Sequence, residues 1–215
     1  MIARVRGRSL IVVALLAGTA HAGRVDVDWG KGLVTAEGVG IADRHAPNPA
    51  VARGTSRRAA EDAARVQLRG KLGELPVAGG GTVAAKAADH DIAARLDAAV
   101  AAAFAVAADP ETDGAWRVTM AVPIEAVRQA LDGPRTLPAT GDRGAAVIVV
   151  DGVKAKPAVG VTVGGKHAAT LWLADVPAWA ASAPHVAGKA AAGDIAAELG
   201  TTASDTTLFV IIAKP

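Results

Sequence analysis

The 215-residue chain contains no cysteine and no tyrosine, and its two Phe and four Trp make aromatics only 3% of the sequence. The missing cysteine excludes a disulfide framework, thiol catalysis and Cys-based zinc or iron–sulfur centres. Charge of one sign is also lacking, since 23 Lys+Arg stand against 21 Asp+Glu and 51% of residues are hydrophobic, which excludes a highly charged disordered chain. No apolar run approaches the roughly 20 residues that cross a bilayer as a helix, because Arg, Asp or Gly interrupts each alanine-rich stretch. What is abundant is alanine, with 53 residues. A cysteine-free chain of this kind depends on close helix–sheet contacts between small side chains more than on bulky ones.

The first residues read as an export signal. Arg4, Arg6 and Arg8 precede the apolar run Leu10 to Ala17, and Ala20-His21-Ala22 follows it, in the three-part order of a secretory leader. Cleavage is expected between Ala22 and Gly23. No cysteine is available for lipid attachment at a mature N-terminus. Removal of residues 1–22 takes away three arginines and leaves 20 basic against 21 acidic side chains, so the chain's pI near 9.1 belongs to the leader and gives no reason to expect a nucleic-acid partner.

Beyond the leader, Leu33 to Ile41 has the β-branched content of a strand loosened by Gly38 and Gly40. Asn48-Pro49 supplies a cap and a first-turn proline for a helix over Ala50 to Leu72. Its small stripe is Ala59, Ala60, Ala63, Ala64, Leu68 and Leu72, and Arg57/Glu61, Arg58/Asp62 and Glu61/Arg65 pair on the other side. Asp89 caps a second helix carrying Ile92, Leu96 and Val100 on one face. Phe104-Ala105-Val106, the Asp109 to Gly114 turn and the alternation Trp116, Val118, Met120, Val122 predict a hairpin, after which Pro123 opens a third helix that Gly133-Pro134 closes. Residues 133–144 read as a linker. The uninterrupted runs Ala145 to Val150 and Leu208 to Ile212 predict strands covered on both faces, with Val159/Val161/Val163 and Leu171-Trp172-Leu173 as further strand candidates.

Motifs for chemistry are weak. Gly38-Val39-Gly40-Ile41-Ala42-Asp43 starts like a dinucleotide fingerprint, but Asp43 replaces the third glycine and Pro47 and Pro49 block an immediate helix N-terminus. Asp89-His90-Asp91 reads as a helix cap, because adjacent helical positions diverge and cannot converge on one metal. No serine lies in a Gly-x-Ser-x-Gly elbow. Trp116 fits a core position. Trp179, in Pro177-Ala178-Trp179-Ala180, has the setting of a ligand or partner contact, and Asp43 and His45 form a polar cluster near the end of the first strand.

Gly38-Val39-Gly40, the Asn48-Pro49 helix start, the Arg58-Ala59-Ala60/Ala63-Ala64 helix and Asp113-Gly114 running into Trp116 to Pro123 together resemble one envelope family. It comprises small bacterial envelope lipoproteins and the N-terminal domain of flagellar assembly protein T. The likeness spans about Leu33 to Leu131 and implies a non-enzymatic envelope or surface-structure role, with no catalytic residues to carry over and no lipid-attachment cysteine here.

The expected fold is α+β, with helices on one face of a mainly antiparallel sheet (residues 23–132), a linker (133–144) and a smaller strand-rich C-terminal module (145–215) that completes or abuts the first sheet. The expected function is that of an exported periplasmic or secreted cell-envelope protein, not an enzyme, with no cofactor or metal. Its partners are envelope or surface-structure proteins, not nucleic acid, and no integral membrane segment remains after cleavage. The alternative is a periplasmic small-ligand module or hydrolase using Asp43 and His45.

Overall fold

A computed structural model describes residues 23–133, 145–199, 203–204 and 206–213. The leader, its cleavage junction at Ala22 and nearly all of the expected linker lie outside the described residues.

Strand β1 (Val25–Asp28) turns at Trp29 to Lys31 into β2 (Leu33–Gly40), and the two pair antiparallel with Val25 opposite Ala36. Helix α1 (Pro49–Glu74) starts where Asn48 Oδ1 accepts the Val51 N–H, with Pro49 in its first turn. Its buried positions, Ser56, Ala60, Ala64, Leu68 and Leu72, are each four apart. That stripe is narrower than expected: Ala59 is exposed, because a strict four-residue repeat already covers the line of contact with β2. The Arg57–Glu61 and Arg65–Glu61 pairs form at 3.2 and 3.8 Å, with Arg65 also reaching Asp62 at 3.0 Å.

Short α2 (Val83–Lys86) leads to α3 (His90–Ala101), which Asp89 caps by accepting the Asp91 and Ile92 N–H groups. The expected hairpin follows as β3 (Phe104–Pro110) and β4 (Trp116–Pro123), and α4 (Ile124–Asp132) closes the first half. The four strands lie in the order β1-β2-β4-β3, all antiparallel. Val34, Ala36, Val118, Met120 and Val122 point to the helical side, where they meet Ala60, Ala64, Leu68 and Leu96 in one core.

The second half is a mixed six-stranded sheet. Its strands β5 (Val147–Val153), β6 (Thr162–Val163), β7 (Ala169–Leu173), β8 (His185–Ala191), β9 (Asp194–Ala197) and β10 (Leu208–Ala213) are ordered β6-β9-β8-β5-β10-β7. The middle run β8-β5-β10-β7 is parallel. Ile148, Val150, Phe209 and Ile211 face one apolar cluster, and Val149, Val210 and Ile212 face another. Burial on both sides is what the uninterrupted apolar runs require of parallel strands. The Val159/Val161/Val163 alternation does not form a long strand: only Thr162–Val163 pairs in the sheet, because Gly160 at φ 79° turns the backbone between Val159 and Val161.

The fold is therefore α+β. The second sheet abuts the first and does not extend it. Val159 makes a parallel bridge to Val77, with its N–H donating to the Pro76 carbonyl at 2.8 Å and its carbonyl accepting from the Ala78 N–H at 2.9 Å, while the Trp172 backbone N–H donates to the Trp29 carbonyl at 3.1 Å. No helix of the described residues is long and apolar enough to cross a membrane.

Candidate contact surfaces

Asp43 and His45 sit in the exposed loop between β2 and α1. Asp43 Oδ1 accepts the His45 backbone N–H at 2.8 Å, which commits that carboxylate to a local turn. Both side chains face solvent, so this loop contributes a turn and an accessible surface, not a recess in which a small molecule is surrounded.

Trp179 lies in a 3-10 turn (Ala178–Ala180) that leans on β5 through buried Ala180. Its indole is 57% exposed. The flanking stretch Val176 to Pro184 carries no charged residue, and Ala178, Ala181, Ser182 and Pro184 around it are exposed as well. A large amphipathic ring standing free on an uncharged rim is the composition that protein contact surfaces favour. Trp116, by contrast, packs against the first core, with the Arg57 guanidinium 5.3 Å from its ring centroid.

Two features were not foreseen from the sequence. His185 Nδ1 and Asp151 Oδ2 lie 2.7 Å apart across the β5–β8 pairing, beside an open groove of about 770 Å³ lined by His185, Ala187, Asp194, Ala196 and Glu198 among others. Thirty-four residues separate the pair, so no local spacing could have announced it. The carboxylate can orient the imidazole, but Asp194 is already held by Thr162 and by the Gly165 N–H, and among the described residues no hydroxyl is hydrogen-bonded to His185. The second unforeseen feature is β3, whose Phe104 and Val106 are 46% and 48% exposed.

Two arginines elsewhere are held in ion pairs. On the open face of the first sheet Arg117 bridges Glu37 at 2.7 Å and Glu111 at 2.9 Å, and those hydrogen bonds, Glu37's first, raise its pKa. Arg128 of α4 is nearly buried and clamps Glu125 and Asp132; the Glu125 hydrogen bond is the main reason that its pKa is raised. Among the described residues no cluster of three His, Asp or Glu side chains has the arrangement of a metal site.

No known family model matches the chain, and no curated protein matches it as a relative.

Proposed function

We propose that the chain is an exported, non-enzymatic cell-envelope protein that works by protein–protein contact, in envelope or surface-appendage assembly. The observation that carries the reading is Trp179, an indole more than half exposed on an uncharged rim and anchored by a buried neighbour, Ala180. Exposing that much aromatic surface is unfavourable in a chain with only six Phe and Trp residues unless something covers it. The leader-like residues 1–22 and the resemblance of Leu33 to Leu131 to envelope lipoproteins support the compartment.

Both parts can be tested in one preparation. The protein recovered from the cell envelope or medium is expected to begin at Gly23. A photo-crosslinking amino acid at position 179 is expected to trap an envelope protein that the same probe at exposed Val66 does not. Full-length chain confined to the cytoplasm, or identical crosslinks from both positions, would overturn the reading.

A further inference from the structure

The side chains of the groove beside His185 offer acceptors to whatever enters it. Asp151, a carboxylate, can only accept, so the proton between it and the imidazole at 2.7 Å sits on Nδ1 and leaves Nε2 of the neutral ring as an acceptor. Asp194 Oδ1 takes the Thr162 hydroxyl and the Gly165 N–H, while its Oδ2 and the exposed Glu198 carboxylate add further acceptors. No lysine, arginine, hydroxyl or amide side chain lines the space. Lys189, the one cation of β8 and β9, pairs in register with Ala196 without lining the groove, and Asp151, Asp194 and Glu198 outnumber it. The rest of the lining, Val186 apart, is glycine and alanine.

Strand register sets this groove on the same side of the second sheet as Trp179. Val149 packs with Ala180 of the 3-10 turn, and His185 is the neighbour of Val149 across the β5–β8 pairing, so the imidazole shares that face. Ile195 belongs to the opposite cluster, which turns Asp194 and Ala196 to the groove side. The Val149 N–H donates to the Pro184 carbonyl at 2.9 Å and ties the segment between Trp179 and His185 to β5. We infer that the groove is the charge-reading part of the Trp179 contact surface, and that it takes an arginine side chain from a segment of the partner protein whose apolar neighbour covers Trp179. This rests on the contact reading above and adds the chemistry of the partner. The apolar stem of an arginine can lie along the alanines while its planar fork donates to the carboxylates. A neutral or acidic segment would leave the acceptors desolvated and unpaired. A volume of about 770 Å³ accommodates such a side chain, and its open side admits one delivered by a polypeptide.

The protein as it accumulates in the cell, isotope-labelled and titrated with a blocked pentapeptide carrying two arginines around a central leucine, should show NMR shifts at the Ala187 and Ala196 amides and the Trp179 indole, with Kd on the order of 1 mM. The same peptide with citrulline in place of arginine, equal in shape but neutral, should bind about tenfold more weakly. The arginine peptide should also bind Glu198→Lys about tenfold more weakly, a change at an exposed position. Unmoved Ala187 and Ala196 signals, equal binding of the citrulline peptide, undiminished binding to Glu198→Lys, or spermine bound as tightly as the peptide would each overturn the inference. Crosslinking from position 179 is read separately. A partner trapped there by protein that ignores the arginine peptide would leave the contact reading standing and remove only its arginine.

Discussion

The central contacts of the two halves are made by opposite kinds of side chain, although Leu68, Leu72, Leu96 and Met120 fill the rest of the first core. Around α1 the contact layer is Gly38, Gly40, Ala60 and Ala64, so helix and sheet backbones nearly touch; around β5 and β10 it is Ile148, Val150, Phe209 and Ile211. Packing density is the same constraint in both places, but it is met by removing atoms at the α1–β2 contact and by filling space between β5 and β10. The α1–β2 contact should therefore be intolerant of added volume and the β5–β10 layer of lost volume. A chain-wide alanine content of 53 residues hides this division.

The largest effect is expected from truncation in the second half. Phe209 is fully buried at the centre of its cluster, and Phe209→Ala should cost about 4 kcal/mol in urea unfolding, through lost transfer energy and the cavity left behind. Removing a methyl from the first half, as in Ala64→Gly, should cost only about 1 kcal/mol, mostly from helix propensity. Equal costs would break the comparison.

Enlargement should reverse the order. A Cβ on Gly40 would lie 1.8 Å from the Ser56 carbonyl oxygen, and one on Gly38 would lie 2.0 Å from that of Ala60. The obstacles are helix backbone and cannot rotate away, so Gly40→Ala should cost about 3 kcal/mol, at the upper end of overpacking effects. Amide hydrogen exchange should show lost protection in α1 and β2 with β5 and β10 less affected, and the converse for Phe209→Ala. A neutral Gly40→Ala would mean that α1 is free to move off the sheet.

This difference also explains how much could be read from the sequence. Elements bounded by specific chemistry were legible: Asn48-Pro49 and Asp89 mark helix starts, Asp113-Gly114 marks the hairpin turn, and the Val147 to Val150 and Leu208 to Ile212 runs mark central strands. Strands β8 and β9 were not. His185-Val186-Ala187-Gly188-Lys189-Ala190-Ala191 has one β-branched residue, and its pairing with β5 and β9 comes from tertiary placement that propensity does not encode. Strand β1 alternates Val with Asp over only four residues, too short for periodicity to register. The parallel order of the second sheet was illegible for a related reason, since apolar runs report burial on two faces but not which strands are neighbours. The exposure of Trp179 was legible because an indole between small uncharged residues has little to pack against locally, whereas exposure at Phe104 and Val106 follows from β3 being an edge, a property of topology.

The seam between the halves should give the smallest effect, and an acid-dependent one. Asp28 ends β1 and its Oδ1 accepts the Lys31 backbone N–H at 2.8 Å, closing the turn that delivers the Trp29 carbonyl to Trp172. The Lys31 amide is the main reason that the Asp28 pKa falls below its ordinary value of 3.8; partial burial opposes the shift and the Lys31 ammonium adds to it. A carboxylate depressed in the folded state contributes stability that is complete above its unfolded pKa and is lost as pH falls through the folded one. The turn should hold unchanged at neutral pH and loosen below about pH 4. Asp28→Asn keeps an oxygen acceptor but removes the charge, so it should flatten the acid response of the Trp29 and Trp172 amide signals without moving those of β5 or α1. An acid response that survives Asp28→Asn would place the titrating group elsewhere and leave the joint between the two halves without its electrostatic latch.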